Sequence, residues 1–174
     1  MNLTEKTITK KLDDYKDIVQ FMKRVFPKEE LFPMWILNLI TKKKNYDFNA
    51  YYDNNLFVGI LFTINSKDSL FVFYLAVNDK IHSKGYGSKL LTMLKDKYQD
   101  KPISLFIETL DPKAENYEQR VKRLAFYKRN GFFDTKIKAG SKEPFVDILS
   151  TDENFGYDEC KKMLKFMPLK LFKS

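Results

Sequence analysis

The sequence predicts an α/β protein, a central mixed and largely antiparallel twisted sheet flanked by helices. Two observations carry this. Two stretches with apolar residues at helical spacing open the chain, and three apolar and aromatic runs follow with only "DNN" and "NSKDS" between them. Such short polar separators are the turn chemistry of antiparallel hairpins. Helical and extended stretches then alternate to the end, and the order α α β β β α β α β β is that of an α/β domain.

Element by element, a short strand is expected over Lys6 to Lys10. Tyr15, Ile18, Val19, Met22 and Phe26 then fall on one helical face, and Pro27 closes that helix. A second helix around Pro33 to Lys44 carries Trp35, Ile36, Leu39 and Ile40 and ends in three lysines, which suit a helix C-terminus. Strands follow at Phe48 to Tyr52, Leu56 to Ile64 and Ser69 to Val77. Leu90, Leu91, Leu94 and Tyr98 mark the next helix. "PISLFIETL" is a strand with Ile103, Leu105 and Ile107 on one side and Ser104, Phe106 and Glu108 on the other. A long helix is expected from Pro112 to a C-cap at Asn130-Gly131, with Val121, Leu124 and Ala125 toward the core. Strands at Phe132 to Lys138 and Pro144 to Ser150 pair as a hairpin. A basic amphipathic helix over about 157–167 places Cys160, Met163, Leu164 and Met167 on its apolar face.

No repeat, low-complexity tract or linker interrupts this pattern, so one domain over residues 1–174 is expected. The single cysteine excludes an internal disulfide and suits a reducing compartment. The N-terminus lacks the apolar core of a signal peptide, and no apolar run nears the length of a membrane span. A soluble cytoplasmic protein, monomer or homodimer, is expected. The net charge of +8 suggests an anionic partner, and nucleic acid, a membrane surface and a phosphorylated cofactor all fit that sign. Dispersed lysines, and aromatics falling in strand and helix cores, argue against a nucleic-acid surface. The tail "KKMLKFMPLKLFKS" is expected to pack on the sheet rather than on a membrane. His82 is the only histidine, which excludes a histidine-rich zinc site.

Two of the six glycines stand one residue apart in "KIHSKGYGSK", between an apolar strand and a helix. A glycine loop entering a helix lets backbone N–H groups converge on an anion, and the helix end adds partial positive charge. Lys84 and Lys89 reinforce that sign. A P-loop would need Gly-Lys-Ser/Thr, but Gly87 is followed by Ser88 and then Lys89. A dinucleotide fingerprint would need a third glycine where Leu90 stands.

In its context, "LAVNDKIHSKGYGSKLL" resembles the acetyl-CoA-binding signature of the GNAT superfamily of acetyltransferases. Leu75 and Val77 take the strand positions, Gly85 and Gly87 the glycines, and Leu90-Leu91 the helix start. His82 departs from the family's usual Arg or Gln, though it too can donate a hydrogen bond. "AFYKRNGF" resembles the family's second signature, a helix ending Tyr-x-x-x-Gly-Phe. The resemblance implies that acetyl-CoA, used without a metal, runs along the strand Tyr74 to Val77, touching Leu75, Ala76 and Val77, where a backbone N–H near Leu75 or Val77 faces the acetyl oxygen. It implies further contacts through His82, Ser83, Lys84, Gly85, Tyr86, Gly87 and Ser88. A small-molecule or peptide amine would be the acceptor, in direct transfer within a ternary complex.

That chemistry needs a neutral amine, donors for the carbonyl oxygen and a proton for the departing thiolate. Tyr127, at the second signature, is the expected proton donor, and Glu108, at its strand's end, the expected acceptor of the amine's proton. Asn116, Arg120, Arg123 and Tyr127 recur at helical spacing on one face. Asn116 and Arg123 are also taken as coenzyme contacts. The family more often has Asn and Ala where Arg120 and Arg123 stand. These guanidiniums could face a thiolate, a coenzyme phosphate or an acidic substrate, or form a solvated face beside Glu115 and Glu118. The alternative function is a non-catalytic acyl-CoA-binding domain of the same fold.

Overall fold

A computed structural model of the chain describes residues 3–81, 85–140 and 145–165. The first elements are β1 (Leu3–Thr7), α1 (Tyr15–Val25), α2 (Met34–Ile40), β2 (Tyr46–Asp53), β3 (Leu56–Asn65) and β4 (Leu70–Val77). They continue as α3 (Tyr86–Lys97), β5 (Ile103–Glu108), α4 (Tyr117–Arg129), β6 (Phe133–Ala139), β7 (Val146–Ser150) and α5 (Tyr157–Leu164). Hydrogen bonding orders the strands β1-β2-β3-β4-β5-β7-β6. The β4–β5 pairing is parallel and the β1–β2, β2–β3, β5–β7 and β6–β7 pairings are antiparallel, so the sheet is mixed, as expected.

Two compact units share strand β4. One comprises Met1–Asn65 with Phe73–Lys89, the other Ser66–Val72 with Leu90–Ser174. The core of the first is aromatic. Phe62 is fully buried and meets Phe48 edge-on at 5.7 Å, Phe73 edge-on at 5.7 Å and Tyr74 at 6.0 Å between ring centroids. Edge-to-face geometry adds quadrupole attraction to the area these rings bury. Tyr74 carries a polar task as well. Its hydroxyl donates to the Glu30 carbonyl (2.6 Å) and accepts from the Phe32 N–H (3.0 Å), which ties the loop between α1 and α2 to β4. In the second unit Ser104, Leu105, Ile148 and Leu149 are buried on paired strands β5 and β7, and Phe71 packs on Phe106 at 4.8 Å.

Several boundaries differ from the sequence expectation. Strand β1 lies at Leu3–Thr7 rather than Lys6 to Lys10, because its pairing partner is β2 from Asn49 to Asp53; Ile8 adds one more bond, to the Phe48 carbonyl at 2.8 Å. Helix α2 stops at Ile40, where the Thr41 hydroxyl turns back to the Leu37 carbonyl, so the three lysines follow the helix instead of ending it. Pro112 opens a turn rather than a helix. Ala114 N–H bonds the Asp111 carbonyl, and α4 begins only at Tyr117. On α4 the buried residue is Tyr127, whereas Val121 and Leu124 are half-buried and Ala125 is exposed. Cys160 and Met163 of α5 are buried as expected; Met167 and Pro144 lie outside the described residues.

Replacing Tyr74 by Phe leaves the buried Phe32 N–H and the Glu30 carbonyl without this partner. The cost expected for an orphaned buried group is about 1–3 kcal/mol. Thermal unfolding of Tyr74→Phe should show it as a Tm lowered by roughly 2–4 °C per kcal/mol. Burial also pushes the Tyr74 phenol up to about 12. Its contribution is therefore complete below the ordinary value of 10 and is lost as pH rises from there through 12. Tyr74→Phe should accordingly flatten part of the alkaline decline in Tm.

Candidate active site

The expected site residues fall in both units and build up from two kinds of local structure. In the first unit, β4 runs directly into the glycine loop. Ala76 is buried, and Leu75 and Val77 are half-buried on either side of it, the alternation of a strand with one face in the core. Beyond Val77 the side chain of Asn78 donates to the Phe57 carbonyl (3.0 Å) and accepts from the Lys80 N–H (3.1 Å). Arg24 of α1 grips Asp79 with two donors, at 2.6 and 3.0 Å. The chain thus leaves β4 on a braced path. His82, Ser83 and Lys84 lie outside the described residues.

Gly85 answers the question the glycines pose. Its φ is +69°, the left-handed region that residues with a Cβ rarely adopt, and nothing lies within 4 Å of where a Cβ would stand. Space is therefore open at this position, and conformation alone selects glycine. Helix α3 starts at the next residue, and its first bond runs from Lys89 N–H to the Gly85 carbonyl at 3.0 Å. Helix geometry leaves the N–H groups of the first turn without intrahelical acceptors. Tyr86, between the glycines, is buried, and its hydroxyl donates to Asp53 at 2.9 Å, at the β2–β3 turn. That bond, with burial second, raises the phenol pKa. A backbone with space above it and a positive helix end below it suits an anion.

In the second unit, Glu108 ends β5 and draws three side chains onto itself. Asn116 Nδ2 donates to Oε1 at 2.9 Å, Arg120 Nη2 lies 3.3 Å from the same oxygen, and Arg123 Nη1 bonds Oε2. Arg120 is further held by Asn116 Oδ1 (2.7 Å) and the Thr109 carbonyl (2.7 Å). Asn116 stands at the N-cap of α4, yet its side chain caps nothing and is spent on this network. Burial works to raise the Glu108 pKa, but the Asn116 hydrogen bond and the charges of Arg123 and Arg120 outweigh it and lower it. The arginine face is thus turned onto Glu108, a partner the sequence did not suggest; Arg123 stays about half exposed.

Tyr127 lies one helical turn beyond Arg123. It packs against Phe132 at 5.6 Å and Phe126 at 5.1 Å, and burial pushes its phenol up to about 12 against the lowering influence of Arg123. The proton therefore stays on its oxygen throughout the neutral range. After the helix, Lys95 Nζ donates to the Asn130 carbonyl (3.0 Å) and Phe132 N–H reaches back to the Tyr127 carbonyl (3.1 Å), which fixes the end that carries the phenol.

A model of the acetyltransferase (GNAT) family matches residues 13–132, more than half of the chain. The protein belongs to the GNAT family of acetyltransferases. Solved structures agree in fold. A GNAT-family protein from Bacteroides thetaiotaomicron is 22% identical with a TM-score of 0.72, covering 95% of this chain and 94% of its own. An aminoglycoside 6'-N-acetyltransferase complexed with coenzyme A is 14% identical with a TM-score of 0.62, covering 84% and 95%. Naa50 from Arabidopsis thaliana, in complex with a bisubstrate analogue, is 19% identical at 0.62, covering 87% and 99%. No curated protein matches the chain in sequence. No described helix of this GNAT protein is long and apolar enough to cross a membrane.

One residue that the sequence reading passed over bears on the site. Gly59 interrupts the apolar run "LFVGILF", and an isolated glycine in a strand is itself a signal of close backbone approach.

The Glu108 network carries its own test. Because its pKa is lowered, its contribution is present above the ordinary value of 4.5 and is lost as pH falls through the folded-state value. Glu108→Gln should cost about 1 kcal/mol at neutral pH, the scale of a half-exposed ion pair. In a pH series of thermal melts, the gap between the wild type and Glu108→Gln should close on the acid side.

Proposed function

We propose that this GNAT protein is an N-acetyltransferase that carries an acetyl group from acetyl-CoA to a primary amine by direct transfer in a ternary complex. The observation that carries the proposal is the strand–Gly85–helix junction, open above the backbone and inside the stretch that matches the family. Structural neighbours include complexes with coenzyme A and with acetyl-CoA. In this reading Leu75, Ala76 and Val77 run beside the coenzyme arm, and the loop from His82 through Lys84, Gly85, Tyr86 and Gly87 to Ser88 takes its pyrophosphate.

An amine with an ordinary pKa of about 10.4 is neutral in only about one molecule in a few thousand at pH 7. Its proton must leave before attack. Glu108, ionised and clamped, is too weak a base to keep that proton, so its role is to accept it in passing to water. Asn116, Arg120 and Arg123 hold the carboxylate in place, and the exposed side of Arg123 offers donors to an anionic group of coenzyme or acceptor.

As the carbon–sulfur bond breaks, negative charge gathers on sulfur. A full proton transfer from a phenol at about 12 to a thiolate of ordinary value, about 8.5, would run uphill by roughly 5 kcal/mol. Tyr127 therefore acts first as a hydrogen-bond donor to the departing sulfur, and it passes its proton on only as its oxygen takes up the proton that the nitrogen sheds after attack, so the phenol stays protonated and the thiol leaves neutral. Tyr127→Phe should lower kcat by about 10²-fold or more, with little change in the dissociation constant for acetyl-CoA.

Calorimetry with acetyl-CoA tests the reading. The wild type should bind, and a folded Gly85→Glu, Gly87→Glu double variant should not. Turnover in an amine panel then identifies the acceptor. Binding without turnover on any amine would select the non-catalytic acyl-CoA-binding alternative. Absence of binding by the wild type would overturn both.

A further inference from the structure

Strand β3 carries an irregularity in its pairing with β2. Its register against β2 pairs Tyr51 with Gly59 and Tyr52 with Phe57, so Val58 is an extra residue and Gly59 follows it directly. On the other side of β3, the Val58 carbonyl accepts from the Asn78 N–H at 2.7 Å. A Cβ built on Gly59 would overlap the Ala76 carbonyl oxygen and would lie 3.1 Å from both the Ala76 carbonyl carbon and Val77 Cα. Every one of these atoms is backbone. No side-chain rotation can relieve the overlap, so any other residue at 59 must change how the backbones of β3 and β4 lie against each other.

The contact also fixes a direction. The Ala76 carbonyl and the Asn78 N–H both face β3. In a trans peptide the carbonyl and the following N–H point opposite ways, so the Val77 N–H is aimed away from β3. We propose that Gly59 is a positioning residue for acyl transfer: its missing side chain lets the Ala76–Val77 peptide lie so that the Val77 N–H is presented to the acetyl oxygen of the bound thioester. The inference rests on the acetyltransferase reading above. Gly59 touches neither coenzyme nor acceptor and acts through the strand it packs on.

The test separates the two halves of the coenzyme. Gly59→Ala should bind the nucleotide half, 3′-phospho-ADP, as the wild type does, since the Gly85 loop is untouched. It should bind acetyl-CoA more weakly and turn over about 10²-fold more slowly, the scale for loss of one carbonyl-oxygen donor. Undiminished turnover by folded Gly59→Ala would overturn the proposal, and so would an equal loss of affinity for both probes. Failure of the wild type to bind either probe would instead defeat the acetyltransferase reading, and this inference with it. Should Gly59→Ala not fold, the wild type still decides by amide NMR. The Val77 resonance should differ between the coenzyme A and acetyl-CoA complexes while that of Asn78, bonded to Val58, stays put; an unmoved Val77 would overturn the proposal.

Discussion

A peptide unit in a strand has two sides, and β4 is where this constraint governs the molecule. Over Leu70–Val72 the strand pairs in parallel with β5, and from there it runs five residues further, to Val77, alongside β3. The Gly59 approach settles which groups of the second stretch turn toward β3. Much of the first unit is organised around the same residues. Phe73 and Tyr74 enter the aromatic layer around Phe62, the Tyr74 hydroxyl holds the α1–α2 loop, and Asn78 and Asp79 brace the way into the glycine loop. A displacement of β4 would reach all of them, because packed aromatic cores transmit shifts instead of absorbing them.

Electrostatics sets the character of the second unit's cluster. Two guanidiniums face one carboxylate at Glu108, and one positive charge remains uncompensated within the group. Arg120 is fully engaged by Asn116, Thr109 and Glu108, so it serves as scaffold. Arg123, bonded to Glu108 and with nearly half its surface in water, is the member able to exchange contacts. Near Tyr127 this leaves a field that favours negative charge, and Arg123 accordingly works to lower the phenol's pKa against burial.

Much of this was legible in the sequence, for reasons that differ by element. The junction at Gly85 could be read because its conformation demands glycine, and demands of that kind show in residue identity. The α/β class followed from hydrophobic periodicity, which reports burial on one face. Strand β1 was misplaced by three residues, because its register is chosen by β2, a partner far along the chain. The start of α4 was missed because Asn116 looks like a helix residue by spacing, while its side chain is drawn to Glu108 eight residues earlier. The Arg123–Glu108 pair spans fifteen positions, and nearby Glu115 and Glu118 offered more obvious partners in one dimension. The backbone N–H at Val77 leaves no trace in sequence, since every residue but proline has one. What the sequence does record is Gly59 on the neighbouring strand, where a Cβ would meet the Ala76–Val77 backbone.

Tyr86 gives the glycine loop a property that glycines alone would deny it. Two flexible residues at a helix end would ordinarily leave that end loose, with ordering entropy still to be lost when a ligand arrives. The buried ring between them, tied by its hydroxyl to Asp53, holds the first turn of α3 against the β2–β3 turn. The left-handed φ at Gly85 is thus followed at once by an anchored residue. The ordering entropy of that first turn is thereby lost when the chain folds, before anything binds.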